Sequence, residues 1–284
     1  DGSTDNSKEI IQSYNDTRIK YFEHDNIGLA ATLNKGIENS QGELIARMDQ
    51  DDISLPYRFQ KQIDFLNNNP KVGLVSSWCQ IIIDKRLSKR TLKLPTQPIE
   101  LSYFIFFYNP IAHSSVIMRK SVLNQVGVYS TDKTVQPPED YELWLRISAK
   151  YEIANIPEVL FLYREVSTSM SRTAPKSFLE KIVNMTSKRM LSILDSLNPE
   201  LVIELCRINN YTFNKISFNY SSYRKIFFQI AELLSLKNSQ YAELLKNCAK
   251  VQLIDFRKKY LIQKYFRFLK PIFPKLVKFR NKIY

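Results

Sequence analysis

The chain has 284 residues, 44% of them hydrophobic and 12% aromatic, enough to bury a substantial core in one large domain or in a domain with an appendage. Its net charge of +13 is uneven: residues 251–284 hold ten Lys/Arg against Asp255 alone, so the rest of the chain is only mildly basic. No run reaches the roughly 18–20 apolar residues of a spanning helix, and Cys79, Cys206 and Cys248 are scattered, without metal or redox spacing, as suits a reducing compartment.

In chain order, Ser3 or Thr4 can cap a helix running to about residue 14. Residues 18–23 alternate and lead into Asn26-Ile-Gly28, which predicts a short strand and a turn. Over residues 29–39, Leu29, Leu33, Gly36 and Ile37 recur at helical spacing, and an apolar strand is predicted over 44–48. A helix follows from Pro56, with Phe59, Ile63 and Leu66 as its apolar face, and ends before Pro70. Residues 72–83 are strand-rich, 84–90 read as a polar hairpin or loop, 115–118 as a strand and 120–126 as a short helix closed by Gly127. A helix over 141–150 and a strand pair over 153–163, divided at Pro157, complete this part. Strands alternating with helices predict an α/β fold, a mixed sheet flanked by helices. Beyond Pro175 come helices over 176–194, 199–213, 220–236 and 239–256. The expected organisation is a domain over 1–174, a C-terminal helical region over 175–250 and a basic amphipathic tail over 251–284.

Three acidic elements carry the candidate chemistry. Asp49, Asp51 and Asp52 fall within four positions at the end of the 44–48 strand. Such crowding calls for a neutralising cation, and a hard divalent ion with oxygen ligands is the usual one. Asp49 and Asp51 flank one residue, so both can turn to one side and hold Mg²⁺ or Mn²⁺ against a diphosphate; a solvated acidic turn is the plainer reading. The opening Asp1-Gly-Ser3-Thr-Asp-Asn-Ser7 fits a helix cap or a nucleotide-contacting turn, and only weakly a calcium loop. In Gln136-Pro-Pro-Glu139-Asp140-Tyr-Glu142, two prolines precede carboxylates at a helix start. They can simply cap the helix, or one of them, partly dried, can accept a proton from an attacking hydroxyl.

The ordered set Asp1-Gly-Ser-Thr-Asp-x-Ser7, Asn26-x-Gly28-Leu-Ala-x-x-Leu-Asn34-x-Gly36, Met48-Asp-x-Asp-Asp52, Asn109-Pro-x-x-His113 and Glu139-Asp140-Tyr-x-Leu-Trp144 resembles the inverting family 2 glycosyltransferases. The resemblance implies a GT-A fold, a Rossmann-like nucleotide-diphospho-sugar transferase, whose first strand, helix and second strand would precede Asp1. It implies that Asp1 and Ser3, with Asn26 and Gly28, contact the nucleotide. Asp49 and Asp51 become the metal-diphosphate motif, Asp51 the more direct ligand. Asp140 becomes the catalytic base, Glu139 and Trp144 belong to the acceptor side, and His113 lies beside the donor sugar or diphosphate. His24 is expected at the surface. The Gln-x-x-Arg-Trp motif of processive members is missing after the base, which favours addition of one sugar. The closing loop, Tyr163-Arg164-Glu-Val166, lacks the His of many relatives and leaves Arg164 and Arg172 for phosphate contact.

The expected donor is a nucleotide sugar, a UDP-sugar foremost, and the acceptor a glycan or lipid-linked molecule in bacterial surface-polysaccharide synthesis. The tail interleaves cations with Phe256, Tyr260, Leu261, Tyr265, Phe268 and Leu269, a stripe that suits peripheral contact with the cytoplasmic membrane face rather than nucleic acid; a helix packed on the domain with a solvated charged face is the plainer reading. Two other readings stand beside this one. A nucleotidyltransferase acting on sugar phosphates would also use paired Asp residues and a metal. A non-catalytic membrane- or nucleic-acid-binding protein would be driven by the tail.

Overall fold

The computed structural model describes residues 1–83, 86–166, 176–194, 197–210 and 220–269. A six-stranded mixed sheet forms the centre, built from β1 (Leu44–Ala46), β2 (Ile53–Ser54), β3 (Val72–Ile83), β4 (Arg86–Leu92), β5 (Ile117–Arg119) and β6 (Glu152–Glu165). Its order is β1-β5-β3-β6-β2, with β4 added to β3; β3 and β6 run parallel and every other pair antiparallel. The α/β expectation therefore holds. β3 is buried along most of its length, as a central strand covered on both faces must be. At Gly73 an added Cβ would meet a Val122 methyl at 2.9 Å and Tyr151 Cβ at 3.0 Å, so a bare backbone lets the next layer close in.

The helices of this part are α1 (Ser7–Gln12), α2 (Leu29–Asn39), α3 (Arg58–Asn68), α4 (Pro98–Phe104), α5 (Lys120–Val126) and α6 (Glu139–Ser148). Several differ from expectation for identifiable reasons. Residues 18–23 form no strand: they find no ladder partner among the described residues, and Ile19 and Phe22 stay exposed. The first helix starts only at Ser7, where the Asp5 carboxylate takes the Ser7 N–H. The expected strand pair at 153–163 is one strand, β6, whose register against β3 shifts on either side of Trp78, so Pro157 sits at an irregularity instead of a break. The 84–90 segment largely belongs to β4, and α4 went unpredicted although Gln97 and Glu100 close a capping box at its start.

Beyond these lie α7 (Lys176–Leu191), α8 (Pro199–Asn209), α9 (Tyr220–Lys237) and α10 (Ala242–Leu269). They share one continuous hydrophobic core with the sheet layer, from Leu74 and Trp144 through Val183 and Phe227 to Tyr260. α10 passes through residue 251 without a break, so the first part of the basic stretch is packed helix. Phe256 is fully buried against Tyr223 and Phe227, and Tyr260 is nearly so. Those two members of the expected membrane stripe are core residues; the side chains from 264 onward lie outside the described residues. The three thiols are free and buried, Cys79 in β3 and Cys206 and Cys248 in the helical layer. Burial pushes them up to about 12, 12 and 11 respectively.

The helical layer also grips the loop after α4. Tyr103 donates to the Phe227 carbonyl at 3.2 Å. Buried Asn209 donates to the Phe107 carbonyl while its own oxygen accepts from Gln252 Nε2 at 3.2 Å and Lys259 Nζ at 3.3 Å. Replacing it by leucine would take this partner from the Phe107 carbonyl and from Gln252 Nε2 in the interior, while Lys259 would keep Asp255. Asn209→Leu should lower the stability of the full chain by about 1–3 kcal/mol, as read by denaturant or thermal unfolding; an unmoved midpoint would contradict this role.

Candidate active site

The acidic cluster sits where β1 leaves the sheet. The Arg47 N–H still bonds the Val116 carbonyl at 3.0 Å, which carries the pairing one residue past β1. Below it, α3 presents an unexpected face. Arg58, Gln62 and Leu66 are fully buried, whereas Phe59, expected inside, is 50% exposed. Arg58 donates to the Arg47 carbonyl at 2.9 Å and to Gln62 Oε1 at 3.0 Å, and Gln62 donates to the Ser115 carbonyl at 2.7 Å. The Arg58 guanidinium also lies 5.4 Å from the Phe161 ring centre. Burial, then the nearby Arg47 charge, lowers its pKa to about 10, so it remains a cation at neutral pH.

Each of the three acids has a different environment. Asp49 is gripped by Arg47, Nη1 at 2.6 Å on one oxygen and Nη2 at 2.5 Å on the other, and Ser114 Oγ donates to it as well. Asp52 is buried; its Oδ1 accepts the Arg164 N–H at 2.7 Å, and its Oδ2 has no partner among the described residues. Burial raises its pKa, partly offset by that N–H. Asp51 is half-buried, and its carboxylate takes no hydrogen bond among the described residues, while its carbonyl accepts Arg164 Nε at 2.6 Å. Cations that offset the crowded acids are thus present as arginines: Arg47 on Asp49, and Arg58 near Asp52. For a divalent ion the donor set fits with one free carboxylate, Asp51; Asp49 would first have to release Arg47. Among the described residues no cluster of three or more His, Cys, Asp or Glu side chains could hold a metal by itself, so donor oxygens and water would have to complete the shell.

Asp140 stands in the first turn of α6. Its Oδ2 accepts from Asn109 Nδ2 at 2.8 Å and its Oδ1 from the Tyr141 N–H at 2.7 Å. Asn109 is itself set by the Ile111 N–H, which bonds its Oδ1 at 3.2 Å. Burial and the buried neighbour Glu139 push the Asp140 carboxyl up to about 6, against the pull of these hydrogen bonds and of Arg47. A raised folded-state pKa favours the protonated form, so this group's contribution to stability is greatest at acid pH. It declines as the pH rises from the ordinary carboxylate range through about 6.

Between the two acidic elements lie His113, Tyr129 and Trp144. His113 Nε2 is 2.9 Å from the Tyr129 hydroxyl, and the Trp144 ring meets His113 edge-on at 5.7 Å. Burial, then Arg47, holds the His113 pKa well below its ordinary value, so the ring is neutral. Burial, and after it the charges of Asp140, Glu139 and Asp49 against the pull of Arg47, raise the Tyr129 pKa, so its hydroxyl stays protonated. Trp144, expected on the acceptor side, is fully buried and bears on the site only through His113 and Tyr129.

The expected nucleotide residues form a second cluster. Asp1 Oδ1 accepts the Ile27 N–H at 2.6 Å, Asn26 Nδ2 reaches the Asp1 carbonyl at 3.4 Å, and Gly2 bonds the His24 carbonyl at 2.8 Å. Gly2 has φ +69°, and a Cβ there would meet the Asn26 nitrogen at 2.9 Å. His24 is half-buried beside Asp1, at 3.7 Å, and is not a free surface residue. Ser3 is exposed, with no hydrogen bond among the described residues. Gly28 begins α2, and Asn34 on that helix exchanges two hydrogen bonds with the Tyr129 backbone, at 2.8 and 3.0 Å. Through that clasp α2 and its starting turn are tied to the central group. Arg172 lies outside the described residues.

Sequence reasoning gave no role to Arg47, Arg58, Gln62, Asn109, Ser114 or Tyr129. The signal available was Arg58 and Gln62 at i and i+4 beside an acidic cluster, a spacing that puts both on one helix face.

Residues 1–127 match the model for glycosyl transferase family 2. The amylovoran biosynthesis glycosyltransferase AmsE of Erwinia amylovora is 35% identical over 161 residues, 56% of this chain and 59% of that protein. The putative glycosyltransferase EpsE of Bacillus subtilis is 30% identical over 189 residues, 65% of this chain and 66% of that protein. The chain thus spans a little under two thirds of these relatives. Among solved structures, residues 1–349 of S. aureus TarS in complex with UDP-GlcNAc align over 93% of this chain and 80% of that one, with a TM-score of 0.54 at 13% identity, a likeness of fold. By motif order and family match, residues 1–127 are a glycosyl transferase family 2 segment, and the likeness to the TarS fragment shows that the chain has the GT-A fold.

Proposed function

We propose that this protein moves a single sugar from a nucleotide-sugar donor to an acceptor hydroxyl, with inversion at the anomeric carbon, and that Asp140 is the base. The observation that carries the reading is Asp140 itself. It is a carboxylate at a helix start, aimed by Asn109 and poised at about 6, so that it is ionised at neutral pH yet basic enough to take a proton. In the proposed step Asp140 removes the acceptor hydroxyl proton, the oxygen attacks the anomeric carbon, and the bond from that carbon to the diphosphate oxygen breaks with its electron pair on the nucleoside diphosphate. Asp1, Ser3, Asn26 and Gly28 are assigned to the nucleotide, and His113, held neutral, lies on the donor side as a hydrogen-bonding group. Glu139 is assigned to the acceptor side through its neighbour Asp140, and Trp144, on the same helix, to the acceptor side as well. A divalent ion, Mg²⁺ or Mn²⁺, held by Asp51 and the donor's phosphate oxygens, would supply charge stabilisation to the departing diphosphate.

AmsE is a glycosyltransferase of amylovoran biosynthesis, which supports a polysaccharide as the product class. The UDP-GlcNAc bound by the TarS fragment makes a UDP-sugar the first donor to test. A glycan or lipid-linked acceptor brings the protein to the cytoplasmic membrane face. No helix among the described residues is long and apolar enough to cross a membrane, so contact there would be peripheral, through the basic C-terminal segment.

Asp140→Asn should reduce transfer, measured as nucleoside diphosphate release with acceptor present, by about 10²–10⁴-fold. The same variant should unfold at a higher temperature than the parent at neutral pH, with the difference vanishing in acid, because the ionised carboxylate is what the fold disfavours. Retained transfer would sink the base assignment. The parent's rate should fall as the pH drops through about 6. In Asn109→Leu, which loses a hydrogen bond to the charged form, that acid limb should move to higher pH; a limb that stays put would show that Asn109 does not tune the base.

A further inference from the structure

The inward face of α10 is occupied. Leu245, Cys248, Ala249, Gln252, Leu253, Phe256 and Tyr260 are buried on the side packed against α4, α8 and α9. The opposite face carries a different pattern. Val251 (58% exposed), Ile254 (57%), Leu261 (36%) and Ile262 (43%) form an aliphatic stripe. From Val251 to Ile262 it runs about 17 Å at 1.5 Å rise per residue. Lys250 and Arg257 are exposed beside this stripe and Lys258 within it, and the nearby acid Glu243 sits 3.8 Å from Lys250. Asp255, on the flank, is already engaged by Lys259 at 2.9 Å.

We propose that this outward face of α10, residues 246–262, is a docking surface for an anionic phospholipid bilayer. The inference rests on the membrane contact proposed above and relocates it, from the stripe begun by Phe256 and Tyr260 to the helix face opposite them. Charge complementarity selects the partner: Lys258 lies within a line of aliphatic side chains and Lys250 and Arg257 beside it, as on a helix that lies in a headgroup layer with its apolar residues entering the acyl boundary. A single-stranded nucleic acid would need exposed aromatic platforms, and the aromatic rings of this segment, Phe256 and Tyr260, face inward. The surface is set on a helix fixed to the fold by its other side, so docking it needs no refolding.

The test is co-sedimentation of the full chain with phosphatidylcholine vesicles, with and without phosphatidylglycerol. The protein should pellet with the anionic vesicles and not with the neutral ones, and added salt should weaken the binding. Lys250→Glu/Arg257→Glu/Lys258→Glu should lose at least about tenfold in affinity. Ile254→Asp/Leu261→Asp should lose binding even at low salt, and both variants should keep the parent's circular dichroism because the altered side chains are exposed. If the parent ignores anionic vesicles, or binds single-stranded nucleic acid in their place, this inference and the membrane reading both fall. If the parent binds but the α10 variants bind equally, and reversing charges in 264–284 abolishes it, the α10 surface is wrong and the membrane reading stands.

Discussion

The bidentate pair between Arg47 and Asp49 is the contact on which the site's electrostatics depend. A guanidinium as buried as Arg47 must be paired, because an isolated buried charge would cost several kcal/mol. The pairing sets off other consequences. It occupies the first acid of the cluster and orients Ser114. It also leaves a positive charge that adds to burial in keeping His113 neutral and tempers the rise in the Asp140 pKa. Arg58, packed just below, adds a second cation that Asp52 balances in part. The crowded carboxylates are therefore tolerated by the polypeptide's own charges, and Asp51 is the one whose oxygens stay uncommitted among the described residues.

This arrangement is strained in a useful direction. Asp52 and Asp140 are both held with raised pKa values, which means the folded state disfavours their charged forms. For Asp52 the compensation is one backbone N–H from β6; for Asp140 it is an amide side chain and a helix-start N–H. A proton acceptor needs such a mismatch between its preferred and its working charge, and a purely structural carboxylate does not.

The ordered motifs carried most of what the sequence could say. Their residues lie at the ends of β1 and at the starts of α2 and α6, where backbone geometry is local and the identities are distinctive. What could not be read depended on long-range packing. Phe59 looked like a core residue because the 3.6-residue period also fits the neighbouring face, which shares Leu66, yet α3 turns Arg58 and Gln62 inward to meet carbonyls that become available only once β1 and β5 have paired. Pro157 looked like a strand end because its tolerance at an irregularity depends on the partner strand. The Phe256–Tyr260 stripe looked lipid-facing since nothing local announces that Tyr223 and Phe227 will cover it. The role of Asn109 was hidden for the same reason: its partner is 31 residues away.

The three buried cysteines have a practical meaning. A thiol pushed to about 11 or 12 and closed off from solvent does not react with alkylating reagents while the structure around it stays shut. Cys79 lies in the middle of the longest buried strand, whereas Cys206 and Cys248 lie in the helices packed beside it. The chain thus carries its own clocks for opening: modification of the first dates the loosening of the sheet, and modification of the other two dates the detachment of the helical layer.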